Sequence, residues 1–214
     1  MEKKTISKIV KPTINLIAKY IPGDSSVNGN KNVVKLSSNE SPFKIPKRVY
    51  NFSKNLIAET HLYPDGNSSI LKASISNTFK IKQNQIICGN GSDDILSIIA
   101  QCFANSNTEV ICSQYGFIYY PIIANASGAK VITAKTKDLG VSCDNILNLI
   151  TKKTRIIFFA NPNNPTGTVI LQKELESFLS LVPKNVVVVV DGAYAEFVQH
   201  SQYTDGLNLV KKFP

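Results

Sequence analysis

Five consecutive valines at residues 186–190 are followed directly by Asp191. A run of β-branched residues this long favours a strand, and because no polar residue alternates with the valines, both faces of that strand should be buried. Similar apolar runs occur at residues 109–112, 130–134 and 155–160. Strands buried on both faces are typical of a parallel sheet covered by helices on each side.

Segments with the apolar spacing of helices alternate with these strands. Helices are predicted at residues 47–58, 68–79, 92–104, 116–126, 144–150 and 172–181, and two further short strands at residues 33–36 and 86–88. Alternation of this kind predicts an α/β protein, with three layers (α/β/α) around a mostly parallel sheet. We expect residues 1–30 to form an N-terminal arm, because they end in a turn-rich segment, and residues 31–214 to form one domain.

The positive charge of the chain does not indicate nucleic-acid binding. The formal net charge is +9, but nearly all of the basic residues are lysine, and Arg48 and Arg155 are the only arginines. Proteins that read bases and phosphates rely on the bidentate arginine side chain. No apolar run reaches the roughly 20 residues that a membrane helix needs, and the first residues lack the apolar segment of a signal peptide. We therefore expect a cytoplasmic protein with no nucleic-acid or membrane partner.

The cysteines are widely separated along the chain, at positions 88, 102, 112 and 143, and there are only two histidines. Because no C-x-x-C pair occurs, this pattern favours reduced thiols over a disulfide framework or a metal site.

A glycine-rich turn follows the predicted strand at residues 86–88. Gly89 and Gly91 permit a tight turn, and the helix that begins at Ser92 or Asp93 offers free N–H groups that can bind a phosphate. Asp94 stands where the dinucleotide-binding fingerprint has its third glycine, which weakens that interpretation. An ordinary helix start, with Asp93 opposing the positive helix end, explains the same residues.

The loop at residues 161–167 contains two prolines and a glycine, which restrain its backbone and keep it out of the preceding strand. The same loop carries three asparagines, whose amide groups can donate hydrogen bonds from a rigid support. This combination favours a functional loop over a simple turn.

Asp191 follows the valine strand at the edge of the predicted core. An unpaired charge there is costly, so its carboxylate should face a cation, a metal ion or a protonated ring nitrogen. An Asx turn or a helix cap is the alternative. Tyr194, three residues further on, either directs its hydroxyl into the same cleft or packs against its neighbours.

Taken in this order, the three segments resemble the fold-type I pyridoxal-phosphate aminotransferases. The flanking motifs are similar to those of the histidinol-phosphate aminotransferase family, and the matching segments are residues 20–23, 36–43, 62–66, 89–93, 161–167 and 191–197. The resemblance covers the chain from Tyr20 onward. One departure is Gly192, which stands where many relatives have glutamate.

The resemblance implies pyridoxal 5′-phosphate as the cofactor. The residues that it assigns to the cofactor are Gly91, Ser92 and Asp93 for the phosphate, Phe117 for stacking on the ring, Asp191 for the ring nitrogen, and Asn164 and Tyr194 for the 3-oxygen. The residues that it assigns to the substrate or to the neighbouring subunit of a homodimer are Tyr20, Asn39 and Tyr63.

The resemblance also implies an activity, the transfer of an amino group between L-histidinol phosphate and 2-oxoglutarate, with glutamate as the partner product or donor, in histidine biosynthesis. Three alternatives remain open: a threonine-phosphate decarboxylase, an aromatic aminotransferase, and a degenerate fragment without catalytic activity.

The family's Schiff-base lysine lies beyond Asp191 in a later strand-turn, after a serine, and the chain ends at Pro214 before that point. Lys211 and Lys212 are not assigned this role, because their surroundings match the helix end that precedes it. We therefore expect residues 31–214 to be part of the cofactor-binding large domain, without its remainder and the small C-terminal domain. Alone, the chain should be inactive and should bind the cofactor weakly.

Overall fold

The computed structural model describes residues 9–19, 34–35 and 37–213. Within them, the α-helices are α1 (Lys47–Leu56), α2 (Ser69–Phe79), α3 (Ser92–Phe103), α4 (Tyr119–Ser127), α5 (Cys143–Leu147) and α6 (Gln172–Leu181). The strands are β1 (Glu109–Ser113), β2 (Lys130–Ala134), β3 (Thr154–Ala160) and β4 (Val187–Asp191). Short 3-10 helices lie at Pro12–Leu16, Ile57–Glu59, Gln83–Gln85 and Ala195–Phe197.

The four strands form a parallel sheet in the order β2-β1-β3-β4. In the register, Ser113 pairs with Ala134 and Ala160 pairs with Asp191, so the carboxyl ends of all four strands lie at one edge. The chain leaves β1 toward β2 and leaves β3 toward β4, in opposite directions. Ligands of open α/β sheets bind where the connections diverge in this way, here between the loops that follow β1 and β3.

Two hydrophobic clusters cover the two faces of the sheet. Alternate residues of β3 point to opposite sides, with Ile157 and Phe159 in one cluster and Ile156 and Phe158 in the other. Helices α5 and α6 cover the first face, and α3 and α4 cover the second. Each fully buried side chain of this size stabilises the fold by about 1.5–3 kcal/mol. The α/β/α layering inferred from the apolar runs is confirmed.

Several of the predicted elements differ in the structure, among them the helix expected at residues 144–150, which spans Cys143–Leu147. The strand expected at residues 86–88 is irregular, because only Ile86 is buried and the side chain of Ile87 is 75% exposed. The helix expected from residue 116 begins at Tyr119, because the backbone N–H of Gly116 closes a turn onto the Ser113 carbonyl at 3.0 Å. Of the strand expected at residues 33–36, residues 34–35 are not in a strand, and the other two lie outside the described residues.

The four thiols are free, with Cys112 and Cys143 buried, Cys88 half-buried and Cys102 exposed. Burial raises the pKa of the Cys112 thiol, and likewise that of Cys143, to about 12. The described residues include no group of three or more histidine, cysteine or acidic side chains that could hold a metal ion. They also include no helix of the length and apolarity needed to cross a membrane. The division into an arm and one domain stays a prediction.

Candidate functional site

Asp191 ends β4 at the carboxyl edge of the sheet, and hydrogen bonds hold both of its carboxylate oxygens. Its Oδ2 accepts from the Tyr120 hydroxyl at 2.9 Å, and its Oδ1 accepts from the backbone N–H of Ala193 at 3.1 Å. The second contact is the Asx turn considered above. The first is a contact to a side chain on another layer of the protein, so the carboxylate is held from two directions.

Tyr120 is fully buried and lies between two aromatic rings. Its ring stacks on Phe158 of β3, with the centroids 5.4 Å apart, and meets the edge of Phe117 at 5.6 Å. Burial, together with the charge of Asp191 and the hydrogen bond to it, raises the pKa of Tyr120 far above its ordinary range. The hydroxyl therefore stays a neutral donor to the carboxylate at physiological pH. The sequence prediction missed Tyr120, and the aromatic run at residues 117–120 was the available signal.

The N-terminus of α3 lies near this carboxylate. Gly91 is the N-cap residue with φ +82°, a left-handed conformation that favours glycine, and no side chain caps the helix there. Apart from its two chain neighbours, no atom of the described residues lies within 4 Å of the position that a Cβ on Gly91 would occupy, so its outer side is open among these residues. Burial, and then the negative charge of Asp191, raise the pKa of Asp93 above its ordinary value. The carboxylate at the end of β4 thus lies close enough to the start of α3 for its charge to act on Asp93.

Asp94 has a structural role in the glycine turn. Its Oδ2 accepts a hydrogen bond from the backbone N–H of Asn90 at 3.0 Å. A Cβ on Gly89 would lie 2.9 Å from the same oxygen and 2.9 Å from the Ile95 side chain, so a larger residue there would require these side-chain ends to shift. The turn is closed by this aspartate, where a dinucleotide-binding turn would have glycine.

Two of the three loop asparagines support the loop itself. The side chain of Asn161 makes two hydrogen bonds to the backbone of Ile170, at 3.0 and 2.8 Å. The amide of Asn163 donates to the Tyr115 carbonyl at 2.9 Å, which joins the loop after β3 to the loop after β1. Asn164 is half-buried and makes no side-chain hydrogen bond within the described part of the chain. The amides of Asn161 and Asn163 thus donate to the protein's own backbone, and the role assigned to Asn164 stays a prediction.

A cavity of about 640 Å³ lies beside Asn164. Residues lining it include Asn39, Phe43, Pro162, Asn164, Tyr194 and Phe197. The Asn39 amide donates to the Tyr194 hydroxyl at 2.9 Å, across 155 positions of the sequence. The structure therefore brings together three of the residues that the resemblance assigned, and the turn from residue 191 to 194 connects this cavity to the carboxylate.

The other assigned residues that the structure describes do not line this cavity and differ in their exposure. Phe117 is half-buried beside Tyr120, and Ser92 is exposed at the start of α3. Tyr63 is fully exposed and does not line the cavity, so in this chain it is not part of the assembled site. Tyr20 lies outside the described residues.

A parallel α/β sheet with a carboxylate at its carboxyl edge and a helix N-terminus near it defines a class of small-molecule-binding domain rather than one enzyme. The chain matches the family of class I and II aminotransferases over residues 31–212, and it belongs to that family.

Curated relatives of this chain carry a more specific name than the family does. Histidinol-phosphate aminotransferase 1 of Mannheimia succiniciproducens is 42% identical over 186 residues, which are 87% of this chain and 51% of that protein. Histidinol-phosphate aminotransferase 2 of Hydrogenovibrio crunogenus is 40% identical over 210 residues, or 96% of this chain and 56% of that protein. The chain thus spans about half the length of the curated relatives it matches. The family resemblance inferred from the motifs is confirmed.

The fold is shared with histidinol-phosphate aminotransferase from Sinorhizobium meliloti, whose crystal structure is a complex with pyridoxal-5′-phosphate. The TM-score is 0.75 at 21% identity, over 78% of this chain and 46% of that chain. The predicted fold, the large domain of the fold-type I aminotransferases present in part, is confirmed.

Proposed function

We propose that the protein containing this chain is a histidinol-phosphate aminotransferase, which transfers an amino group between L-histidinol phosphate and 2-oxoglutarate with pyridoxal 5′-phosphate as cofactor. The observation that carries the proposal is the carboxylate of Asp191, held by Tyr120 at the end of β4 beside the N-terminus of α3. The named relatives, about 40% identical along most of the chain, support the choice of substrate. Because the chain spans about half of their length, the proposal concerns the longer protein.

The residues at the switch point fit the chemistry of this cofactor. A phosphate is stabilised by the free N–H groups and the positive end of α3, and the open side of Gly91 lets an anion approach the backbone closely. A protonated ring nitrogen beside Asp191 would offset the repulsion that raises the pKa of Asp93. The start of α3 would thus bind the phosphate as an anion site, and Asp191 would bind the protonated ring nitrogen as a cation site.

When bound, the cofactor supplies an electron sink for the carbanion that forms when a proton leaves the substrate. In the proposal Asp191 holds the proton on the ring nitrogen, through lone pairs that its bonds to Tyr120 and Ala193 leave free. The amide of Asn164 and the hydroxyl of Tyr194 donate to the 3-oxygen. The Phe117 ring covers one face of the cofactor ring and excludes water from it.

The substrate would bind in the cavity beside Asn164. Its apolar walls and few polar groups are typical of small-molecule sites. The amide of Asn39 donates to the Tyr194 hydroxyl, and this contact supports a role for Asn39 beside the substrate. The roles of Tyr20 and Tyr63, the homodimer and the cytoplasmic location stay predictions.

Transamination measured with the purified whole protein that contains this chain, supplied with pyridoxal 5′-phosphate and 2-oxoglutarate, tests the proposal. We expect the highest kcat/KM with L-histidinol phosphate as the amino donor. Phenylalanine, tyrosine and O-phosphothreonine serve as the comparison panel. A higher kcat/KM for an aromatic amino acid, or release of carbon dioxide from O-phosphothreonine, would contradict it and favour one of the other enzymes named above.

A further inference from the structure

We propose that Tyr120 is a positioning residue of the cofactor site, whose hydroxyl fixes the orientation in which the Asp191 carboxylate meets the cofactor ring nitrogen. This inference rests on the proposed function. It concerns a residue that neither touches the cofactor in our proposal nor belongs to the motifs from which the site was predicted.

The first step of the argument is the pair of contacts to Asp191. The backbone N–H of Ala193 holds one carboxylate oxygen, but that bond belongs to a local turn and moves with the loop that carries it. Tyr120 holds the other oxygen from α4, a different layer of the protein. With both bonds in place, rotation of the carboxylate about its side chain breaks one of them.

The second step is the rigidity of Tyr120 itself. Its ring is fully buried and nearly parallel to that of Phe158, with an interplanar angle of 9°. Phe158 is also fully buried, in β3. Because packed interior side chains have little freedom to move, the core of the sheet determines the position of the hydroxyl.

The third step is the connection to Phe117. Phe117 lies three residues before Tyr120 and meets its ring at 87°. Tyr120 therefore contacts both Asp191, which is assigned to the ring nitrogen, and Phe117, which is assigned to the face of the cofactor ring. A shift of Tyr120 would displace both together.

The test is Tyr120→Phe in the purified whole protein that contains this chain, with 4′-deoxypyridoxine 5′-phosphate as the probe. This compound keeps the ring nitrogen, the 3-hydroxyl and the phosphate but has no aldehyde, so its affinity does not depend on a covalent bond to a lysine. We expect its Kd to rise about tenfold, because the carboxylate of Asp191 is no longer held in the orientation that meets the ring nitrogen. The melting temperature should fall by only about 2–4 °C, the cost of one hydrogen bond, because the ring and both aromatic contacts remain.

Tyr119→Phe is the matched control. It removes one hydroxyl from the neighbouring tyrosine, whose partner is Ser97 at 2.8 Å, and we expect less than a twofold change in Kd. A second comparison adds Tyr120→Phe to Asp191→Ala. If Tyr120 acts through Asp191, the added substitution changes Kd less than twofold, whereas a general loss of packing would weaken binding equally in both backgrounds.

The outcomes separate the two proposals. If the unaltered whole protein does not bind the probe, the proposed function is wrong and the role of Tyr120 is wrong with it. If it binds but Tyr120→Phe binds equally well, or if the loss is the same with and without Asp191, the positioning role alone is overturned.

Discussion

The sheet region, residues 92–191, and the helix region before it, residues 43–79, are built from similar amphipathic patterns but are packed very differently. β3 alone contributes four large side chains with no exposed surface. In the described chain none of residues 43–79 is buried, and the side chains of Phe43 and Ile70 are 84% and 86% exposed.

The difference shows what an amphipathic pattern specifies. In α1, Val49, Phe52 and Leu56 recur at helical spacing and define an apolar side, as residues of α3 and α4 do over the sheet. The pattern determines which side of a helix is apolar, but the covering surface comes from other elements. Among the described residues, that surface exists for α3 and α4 and not for α1 and α2.

The sharpest test of this contrast is one substitution made in both regions. Ile157→Ala, in β3, should lower the free energy of unfolding by about 3–4 kcal/mol, because it leaves a cavity in a fully buried site. Ile70→Ala, in α2, should change it by less than about 0.5 kcal/mol. Urea denaturation measures both. Equal losses would mean that α2 is covered as well as β3 is.

Within the packed region, we expect the residues needed for activity to lie at the carboxyl edge of the sheet. In the proposed site, Asp191→Asn keeps the shape of the side chain but removes the charge that would hold the ring-nitrogen proton, so kcat for transamination by the whole protein should fall on the order of 100-fold. Asp205→Asn is the control, since Asp205 is exposed and makes a similar Asx contact, to the N–H of Leu207 at 3.0 Å. A comparable loss from both substitutions would argue against a site at this edge.

Substitutions at the opposite edge of the sheet should change the stability of the protein but not its activity. Glu109, at the start of β1, accepts a hydrogen bond from the Thr151 hydroxyl at 2.6 Å, and this bond, with the charge of Lys130, lowers its pKa below the ordinary 4.5. A lowered pKa in the folded state stabilises the protein above pH 4.5, and the stabilisation is lost as the pH falls through the folded-state value. Thr151→Val should therefore cost about 1 kcal/mol at pH 7.

Urea denaturation of the two proteins between pH 7 and pH 3 checks this dependence. The difference between unaltered protein and Thr151→Val should shrink below pH 4.5. A difference that stays constant over the whole range would indicate that the Thr151 hydroxyl acts without Glu109.

The smallest effect is expected in α1. Phe52 is 66% exposed, so Phe52→Ser should change the free energy of unfolding by less than about 0.5 kcal/mol. The measurement is again urea denaturation. A loss of 2 kcal/mol or more would show that another surface covers α1 in solution.

Much of the sheet region was predictable from local pattern. The bounds of β2 and α6 match the prediction to the residue, because β2 is rich in β-branched residues and α6 repeats its apolar residues at helical spacing. The strand expected at residues 86–88 fails because a short apolar run forms a strand only beside a partner, and none of the described strands pairs with it. Short runs carry no information about their partners.

The site was predictable only in part, for a related reason. Asp191 stood out because a carboxylate directly follows a valine strand. Tyr120 did not, because its partner lies 71 positions away and the contact depends on which strands and helices become neighbours. The loop asparagines show the same limit. An asparagine whose amide bonds to the protein backbone cannot be told in the sequence from one whose amide is available to a ligand. Only the fold reveals which backbone groups needed a partner.

The bracing of the loop at residues 161–167 has a thermodynamic consequence for binding. Asn161 and Asn163 join this loop to Ile170 and to the loop after β1, so its conformation is already set when the chain folds. Ordering a flexible loop on association opposes binding through lost conformational entropy. Here that entropy is lost during folding, and a ligand that reaches Asn164 meets a surface with little freedom left to lose.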